Sequence, residues 1–394
     1  CACHKIITTD TRRAAEYLAL LIKEIKLQAE LFDPNRPVIQ LHWGGGSPTF
    51  LSDDEMTMLM HYTARYFNLQ EDDQGDYSIE IDPRFVDEKR LGLLRGLGFN
   101  RVSLGVQDFN PQVQQAINRI QPYEQVANIV EQVRSYKFKS MNFDLIYGLP
   151  YQSPESFSAT IKQVITLSPD RISLFNYAHL PNRFKSQRLL NEENLPRSKD
   201  KLAMLCNSAN ELISAGYRYI GIDHFAKADD ELAIAQGNGS LHRNFQGYST
   251  ARDADLVGLG VSAIGKINGA FSQNHKFMKN YQAAVTDKHL PIEKGYILNT
   301  DDKIRQAVID SLTCNSCIDA GEIEKKFNIN FPDYFSQVMD ELAELVKEGL
   351  LKKTGQKWVA TAKGRLLIRN VCMVFDRYLH KDNETSHQSY SKTI

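Results

Sequence analysis

The feature that most constrains the fold of this chain is an alternation of strand-like and helix-like segments that occurs six times in succession. The strand-like runs begin near positions 38, 77, 101, 141, 171 and 217, and apolar residues at helical spacing follow them. Parallel strands need a crossover connection, which is usually a helix. The alternation therefore predicts an α/β fold with a parallel sheet and helices outside it.

Polar and flexible residues stand where these strands end. They are Gly44–Ser47, Glu80, Gln107, Asp144, Asn176–His179, and the pair Asp223 and His224. In barrel-type α/β proteins the carboxyl ends of the strands form the rim on which ligands bind. The sequence therefore predicts a ligand site at this rim.

Three consecutive glycines, Gly44–Gly46, occupy the turn between the first strand, Val38–Trp43, and the next helix. Ser52 and Glu55 form a capping-box pattern that opens this helix. Because glycine lets a backbone approach a ligand closely, the loop either binds a charged small molecule or is only a tight turn. It fits neither GxxxxGKS/T nor GxGxxG, so a nucleotide-phosphate motif is not indicated.

Carboxylates interrupt two of the strands. Glu80 and Asp82 lie on the same side of the run Tyr77–Pro83. They need partners if that side faces the inside of a barrel, and need none if it faces solvent. Asp144 lies in an otherwise apolar run, which is unfavourable unless it is paired or contacts a ligand.

A helix signal follows the third strand, Arg101–Gln107. Asp108 and Pro111 predict the helix start, because proline is favoured in the first turn of a helix. We expect this helix to extend through Arg119.

The alternation stops after Ile222. Residues 241–248 indicate a polar loop, and residues 255–265 form an apolar run interrupted by glycines. Those glycines either let the backbone approach a ligand or allow close packing.

From about residue 299 the pattern is three helices, a hairpin and a further helix, which resembles a winged-helix module. Such modules often bind DNA. The third helix, however, carries four acidic residues that would repel phosphate, namely Asp340, Glu341, Glu344 and Glu348. We therefore predict a structural or lid role for this module.

Charge and cysteine content exclude several classes of protein. The 394 residues carry a net charge of −1 with a pI of about 6.9, so nothing favours a nucleic-acid partner. Six cysteines spread over this length do not indicate a disulfide framework, and no apolar run reaches the length of a membrane span. We expect a cytoplasmic protein with no membrane partner.

The chain opens on Cys1-Ala2-Cys3-His4 and has no initiator methionine. This spacing indicates either a metal or iron–sulfur ligand run, or incidental thiols at a frayed terminus. Two cysteines cannot complete a cysteine-based site. Because the chain lacks an initiator methionine, we expect that residues upstream of Cys1 are missing.

Eight segments together resemble the oxygen-independent coproporphyrinogen III oxidases, which are radical S-adenosylmethionine (SAM) enzymes. They are Cys1-x-Cys3, His42–Thr49, Ile79–Pro83, Gly105–Asp108, Asn142–Pro150, Asn176–Pro181, Arg243–Tyr248 and Gly364–Asn370. The resemblance covers essentially the whole chain. It implies a partial (β/α)6 TIM-like radical SAM barrel with a smaller, mainly helical, winged-helix-like C-terminal domain.

The pattern and the resemblance together predict four regions. Residues 1–225 form the partial barrel, whose N-terminal part is missing, and residues 226–298 complete it and contact substrate or SAM. Residues 299–380 form the C-terminal domain, and residues 381–394 are a polar tail.

The resemblance also implies the site residues. Cys1 and Cys3 match the third and fourth cysteines of the family motif CxxxCxxCxC, whose first three cysteines hold a [4Fe-4S] cluster. Cys1 is thus expected to be a cluster ligand and Cys3 a catalytic residue. The residues implied to contact SAM are Gly45, Gly46, Ser47, Glu80 and Ile264, with Gln107, Arg119, Asp144 and Ala178 holding a second SAM.

The reaction implied by the resemblance begins when an electron from the cluster cleaves SAM to methionine and a 5′-deoxyadenosyl radical. The radical takes a hydrogen from the β-carbon of a propionate, and loss of CO₂ and one electron leaves a vinyl group. Two such conversions turn coproporphyrinogen III into protoporphyrinogen IX. We expect a monomer, a flavodoxin- or ferredoxin-type electron donor, and a carboxylate contact from Arg183 or Arg243.

An alternative is a heme chaperone-like homologue, which binds heme without oxidase activity and lacks the fourth cysteine. Cys3 and the segment Arg243–Tyr248 favour the oxidase. If residues 1–394 were the whole molecule, two cluster ligands would be missing, and we would expect an inactive protein.

Overall fold

The computed structural model describes residue 6 and residues 8–71, 73–252 and 254–382. The chain divides into two compact units. The first comprises the described residues up to 172, residues 190–195 and residues 254–297, and the second comprises residues 173–189, 196–252 and 298–382. None of the helices in the described ranges is long and apolar enough to cross a membrane.

Strands and helices alternate along the first part of the first unit. In chain order they are α1 (Arg12–Ala29), β1 (Pro37–Val38), β2 (Gln40–Trp43), α2 (Asp53–Tyr66), β3 (Asn68–Leu69), β4 (Asp76–Ile81), α3 (Glu88–Gly96), β5 (Arg101–Gln107), α4 (Pro111–Ala116), α5 (Tyr123–Ser135), β6 (Ser140–Tyr147) and α6 (Pro154–Leu167). Strands β2, β4, β5 and β6 pair side by side in that order, and all these pairs are parallel. The predicted parallel sheet is therefore confirmed here.

The two faces of this sheet differ in polarity. Alternate apolar side chains, such as Ile79, Leu104 and Phe143, are fully buried. The side chains between them are polar and only half-buried, and they include Glu80, Ser103, Asn142 and Asp144. Because successive side chains of a strand point to opposite faces, one face packs in the core and the other presents a polar row.

The predicted start of α2 is confirmed by a complete capping box. The N–H of Ser52 donates to Oε2 of Glu55 at 2.8 Å, and the N–H of Glu55 donates to Oγ of Ser52 at 3.3 Å. Two of the otherwise unpaired donors at the helix start are thereby satisfied.

The first predicted strand is divided in the structure. β1 pairs with β3 in a separate two-stranded sheet, and only β2 joins the main sheet.

The predicted helix through Arg119 is wrong. The side chain of Asn110, rather than that of Asp108, caps α4, and the helix ends at Ala116. Asn118 has a φ of 51°, in the left-handed region, which takes the chain out of the helix. Arg119 therefore lies in an irregular turn.

The next part of the chain contains β7 (Arg171–Asn176), α7 (Ser198–Ser214), β8 (Tyr217–Gly221), β9 (His224–Lys227), α8 (Glu231–Asn238), β10 (His242–Asn244) and β11 (Gly247–Ser249). β8 is antiparallel to β9, so the sixth predicted strand is one arm of a hairpin. Ile222 and Asp223 form its turn with φ values of 30° and 68°. The predicted polar loop at residues 241–248 also differs, because it contains the antiparallel pair β10 and β11.

The first unit resumes after residue 253 with β12 (Ile264–Ile267), β13 (Ala270–Asn274), α9 (Met278–Thr286) and β14 (Ile292–Ile297). The three strands form an antiparallel sheet. A Cβ atom at Gly258 would lie 2.5 Å from the carbonyl oxygen of Ile264. Of the two alternatives for the glycine-rich run, close packing therefore applies at Gly258.

The C-terminal part of the second unit contains α10 (Thr300–Asn315), β15 (Cys317–Asp319), α11 (Ala320–Phe327), α12 (Phe331–Tyr334), α13 (Met339–Lys347), β16 (Leu351–Thr354), β17 (Lys357–Ala360), α14 (Ala362–Leu366), α15 (Ile368–Met373) and α16 (Arg377–Asp382). β17 pairs with both β15 and β16. The predicted hairpin is present with β15 as a third strand, while the third predicted helix and the helix predicted after the hairpin are broken into shorter pieces.

Candidate functional site

The glycine loop contacts Glu80, which stands on the neighbouring strand of the sheet. The N–H of Gly45 donates to Oε2 of Glu80 at 3.1 Å. Nε2 of His42 lies 3.5 Å from the other carboxylate oxygen, Oε1. A Cβ atom at Gly44 would lie 2.5 Å from Nε2 of His42 and 2.8 Å from Oε1 of Glu80. The absence of a side chain at Gly44 therefore leaves room for this pair.

The surroundings of Glu80 keep it ionised. Burial alone would raise the pKa of its carboxyl group, but His42 and the N–H of Gly45 more than offset burial and hold the pKa below its ordinary value. The His42 ring is itself held, because its Nδ1 lies 2.8 Å from Oγ of Ser78. The Glu80 side chain remains 40% exposed, so its charge is accessible to a cationic group.

Two arginines converge on Asp82, just beyond β4. Arg84 donates to it through Nε at 3.0 Å and Nη2 at 2.8 Å, and Nη1 of Arg119 lies 3.0 Å from Oδ2. These contacts outweigh the effect of burial and lower the pKa of Asp82. Asp82 is therefore an ionised anchor for both guanidinium groups.

Arg119 keeps one donor unused. Its Nη2 donates to the carbonyl of Gly105 at 2.7 Å, while its Nε is buried and has no hydrogen-bond partner among the described residues. Burial lowers the pKa of Arg119, and the charge of Asp82 opposes this shift. An anchored arginine with a buried unused donor is suited to an anionic or carbonyl oxygen.

Gln107 ends β5 in a left-handed backbone conformation, with a φ of 65°. The pairing of β5 with β6 shifts register between Gly105 and Gln107, which is the signature of a bulge. Bulges and positive φ values redirect side chains and occur often beside functional sites. A Cβ atom at Gly105 would lie 2.8 Å from Nη2 of Arg119 and 2.9 Å from Nε2 of Gln107. Gly105 thus lets both polar side chains approach the same point.

Asp144 was expected either to be paired or to contact a ligand, because it lies in an apolar run. The structure shows that it is paired with two polar side chains. Its Oδ2 accepts a hydrogen bond from Oγ of Ser103 at 2.8 Å, and its Oδ1 accepts one from Nδ2 of Asn142 at 2.9 Å. Nδ2 of Asn142 also donates to Oγ of Ser103 at 2.8 Å. The parallel register places Ser103 opposite Asn142, so the sheet itself assembles this network.

The remaining predicted residues lie in several places. Ser47 is an exposed residue of the glycine loop, and Ile264 opens β12 in the same unit. Ala178 belongs to the second unit. Cys1 and Cys3 lie outside the described residues.

The chemistry of the first-unit residues fits SAM, which carries an ammonium, a sulfonium, a carboxylate and ribose hydroxyls. Carboxylates such as Glu80 and Asp144 accept hydrogen bonds from the ammonium and the hydroxyls, and Arg119 suits the carboxylate. At Gly45 and Gly46 no atom of the described residues, apart from the chain neighbours, lies within 4 Å of the position of a Cβ, so these residues leave space beside the loop backbone.

The structure gives no corresponding test for the cluster. The described residues contain no group of three or more His, Cys, Asp or Glu side chains placed to hold a metal ion. The predicted ligand Cys1 is outside the described part of the chain.

Sequence reasoning did not single out several partners of the predicted residues. His42, Ser78, Ser103 and Asn142 were not predicted as site residues, although each contacts Glu80, Asp144 or a partner of theirs. A signal was present for two of them. Ser78 and Asn142 stand two positions before Glu80 and Asp144 on the same strands, and period two places such pairs on one face.

Two regions of the chain match family models. Residues 1–164 match the radical SAM superfamily, and residues 298–367 match the HemN C-terminal domain. The parallel α/β fold and the first match together place residues 1–164 in the radical SAM superfamily.

Individual relatives identify the family within this superfamily. The oxygen-independent coproporphyrinogen III oxidase of Pseudomonas aeruginosa is 49% identical over 394 residues, covering 100% of this chain and 85% of the relative. The protein of the same name from Escherichia coli is 46% identical with the same coverage. A solved structure of the Escherichia coli coproporphyrinogen III oxidase, described as a radical SAM enzyme, matches with a TM-score of 0.92 at 46% identity, covering 96% of this chain and 86% of that chain. The chain belongs to the oxygen-independent coproporphyrinogen III oxidase family.

Family membership confirms three of the predictions. These are the family itself, the radical SAM fold with its C-terminal domain, and the use of a [4Fe-4S] cluster and SAM. The individual site residues and the boundaries of the four regions stay predictions.

Proposed function

We propose that this protein converts coproporphyrinogen III to protoporphyrinogen IX without oxygen, in anaerobic heme biosynthesis. Each of two propionates would lose a hydrogen atom from its β-carbon, CO₂ and one electron, and become a vinyl group. The observation that carries this proposal is that Glu80 and Asp144 stand on the polar face of the parallel sheet, in a chain of this family. Gly45 is bonded to Glu80, and Arg119 pairs with Asp82 just beyond the same strand.

The role of the protein in this reaction is to bind and orient its cofactors. When bound, the [4Fe-4S] cluster and SAM supply one-electron chemistry that abstracts hydrogen from an unactivated carbon. We assign Gly45, Gly46, Ser47 and Glu80 to the methionyl end of SAM, and Ile264 to a further contact. Support comes from the ionised, half-exposed carboxylate of Glu80 and from the space that the described residues leave beside the glycine backbone.

A second SAM is assigned to Gln107, Arg119, Asp144 and Ala178. Three of these residues lie in the first unit, where Arg119 offers a buried unused donor. Gln107 and Arg119 converge beside Gly105, which supports a shared ligand for them. Asp144 keeps its orientation through Ser103 and would accept a hydrogen bond from a hydroxyl or an amine.

The substrate carries carboxylates, and we assign one of them to Arg243 in preference to Arg183. The Nε of Arg243 is buried and has no hydrogen-bond partner among the described residues, and the guanidinium lies 5.8 Å from the ring centre of Tyr248. Arg243 interacts electrostatically with Asp223, but Asp223 already forms an ion pair with Arg369 at 2.5 Å. Arg183 is an exposed residue whose guanidinium lies 5.6 Å from the ring centre of Phe184.

An anaerobic assay decides between this function and a heme chaperone-like role. The cluster-loaded protein is incubated with coproporphyrinogen III, SAM and a low-potential reductant, and the vinyl product and CO₂ are measured. We expect both products to form. Cleavage of SAM without vinyl product, together with stoichiometric heme binding, would reject the oxidase.

The electron donor and cellular setting complete the proposal. We propose a monomeric cytoplasmic enzyme that receives electrons from a flavodoxin- or ferredoxin-type protein and has no nucleic-acid or membrane partner. The cysteines among the described residues are unpaired thiols, which supports a reducing compartment. Size-exclusion chromatography and reduction of the cluster by purified donors test these points.

A further inference from the structure

A carboxylate outside the site is completely buried in the first unit. Glu24 lies in the middle of α1 with no exposed surface. A buried carboxylate is unfavourable unless its oxygens receive hydrogen bonds. Three donors reach it: Nδ2 of Asn274 at 2.7 Å on Oε1, and Oη of Tyr281 at 2.6 Å and the N–H of Gly260 at 2.8 Å on Oε2.

This network holds the backbone of one residue from both sides. The N–H of Gly260 donates to Glu24, and its carbonyl accepts from Nδ2 of Asn274 at 2.8 Å. The next N–H, that of Val261, donates to Oη of Tyr17 at 3.2 Å. Gly260 has a φ of 99°, and a Cβ there would lie 2.4 Å from Oη of Tyr17. No side chain fits at this point, so the backbone lies directly against α1.

The anchored turn leads straight to Ile264. The N–H of Ala263 donates to the carbonyl of Gly260 at 3.3 Å, and the carbonyl of Ala263 accepts from the N–H of Asn274 at 2.9 Å. Ile264 then opens β12 opposite Gln273. The position of its backbone thus depends on a turn that Glu24 fixes four residues earlier.

We infer that Glu24 is a positioning residue for SAM binding: through Gly260 it places the turn that carries Ile264. This inference rests on the proposed SAM contact of Ile264. Burial raises the pKa of Glu24, and the hydrogen bonds from its three donors oppose this shift. The role inferred for Glu24 is to fix the geometry of the turn.

The test compares Glu24→Ala and Glu24→Gln with Asn100→Ala. Asn100 is also completely buried in the first unit and is bonded to the N–H of Tyr77 at 3.0 Å and the carbonyl of Gly75 at 2.7 Å, so its loss costs a similar amount of stability. Hydrogen exchange of the SAM-free protein reports protection of residues 260–264, and equilibrium dialysis of the cluster-loaded protein reports the Kd for SAM.

We expect Glu24→Ala to remove protection at residues 260–264 and to raise the Kd on the order of tenfold. Glu24→Gln, which keeps an acceptor oxygen, should restore most of both, and Asn100→Ala should leave the Kd unchanged. An unchanged Kd in Glu24→Ala, or an equal rise in Asn100→Ala, would overturn the inference. Ile264→Ala distinguishes failure of the Glu24 role from failure of the proposed SAM contact. If Ile264→Ala raises the Kd for SAM and Glu24→Ala does not, only the role of Glu24 is rejected. If Ile264→Ala leaves the Kd unchanged, the SAM contact of Ile264 is rejected, and the role of Glu24 is rejected with it.

Discussion

Nε2 of His42 lies 3.5 Å from Oε1 of Glu80, and Nδ1 of the same ring lies 2.8 Å from Oγ of Ser78. The imidazole therefore bridges β2 to two positions of β4. Glu80 is the proposed ligand of the SAM ammonium, so His42 fixes the direction in which this carboxylate faces.

Replacing His42 should weaken SAM binding more than it slows turnover. We expect His42→Ala to raise the KM for SAM on the order of tenfold, because Glu80 loses a partner that both orients it and keeps it ionised. His42→Gln should recover part of this loss. His61→Ala, an exposed histidine of α2, is the matched control. A fall in kcat with an unchanged KM would contradict this role.

Asp82 should act on the site through Arg119. Asp82→Asn removes the charge that anchors Nη1 of Arg119 at 3.0 Å, so the guanidinium loses its fixed direction. We expect the number of SAM molecules bound at saturation to fall, as measured by equilibrium dialysis. Asp255→Asn breaks the exposed ion pair with Arg36 at 2.8 Å and should change nothing. Full occupancy in Asp82→Asn would argue against a second SAM at Arg119.

Arg243 should determine affinity for the substrate and not for SAM. We expect Arg243→Ala to raise the KM for coproporphyrinogen III between about tenfold and a hundredfold, because a charge-assisted hydrogen bond is lost. Arg183→Ala should change this KM less than threefold, since that arginine is exposed. Equal effects of the two substitutions would remove the reason for choosing Arg243.

Glu24 should give the protein a specific pH dependence. Burial raises the pKa of its carboxyl group in the folded state, so in the range between the unfolded and folded pKa values the folded protein binds more protons. Its contribution to stability is therefore present at low pH and is lost as the pH rises through that range. Glu24→Gln cannot titrate, and the free energy of unfolding of the wild type should fall relative to it with rising pH. Parallel curves in denaturant titrations would show that Glu24 has no shifted pKa.

Two glycines should respond to alanine in opposite ways. A Cβ at Gly364 would lie 1.9 Å from the carbonyl oxygen of Leu350, a backbone atom that cannot move aside cheaply. Gly364→Ala should therefore destabilise the protein by about 1–3 kcal/mol. Gly96 ends α3 and is exposed, and no atom of the described residues outside its own helix lies within 4 Å of such a Cβ. Gly96→Ala should therefore stabilise by up to about 1 kcal/mol. Thermal unfolding of both variants checks the two signs.

Some features were predictable because they depend on local order along the chain. The alternation of strands and helices from β2 to α6, the capping box of Ser52 and Glu55, and the place of the glycine loop between a strand and a helix follow from the sequence and are confirmed. Local propensity and side-chain period act over a few residues, so a single sequence contains them. The predicted helix through Arg119 is wrong, because the left-handed conformation of Asn118 takes the chain out of α4.

The sequence by itself determined the family, the order of the elements and the residue types at the strand ends. Only the tertiary structure decided which of those residues meet. Glu24 and Gly260 are 236 positions apart, and Ser103 and Asp144 are 41 apart, yet each pair is hydrogen-bonded at 2.8 Å. Such contacts depend on strand register and on the packing of distant segments, because a shift of one residue would turn every side chain of a strand to the other face.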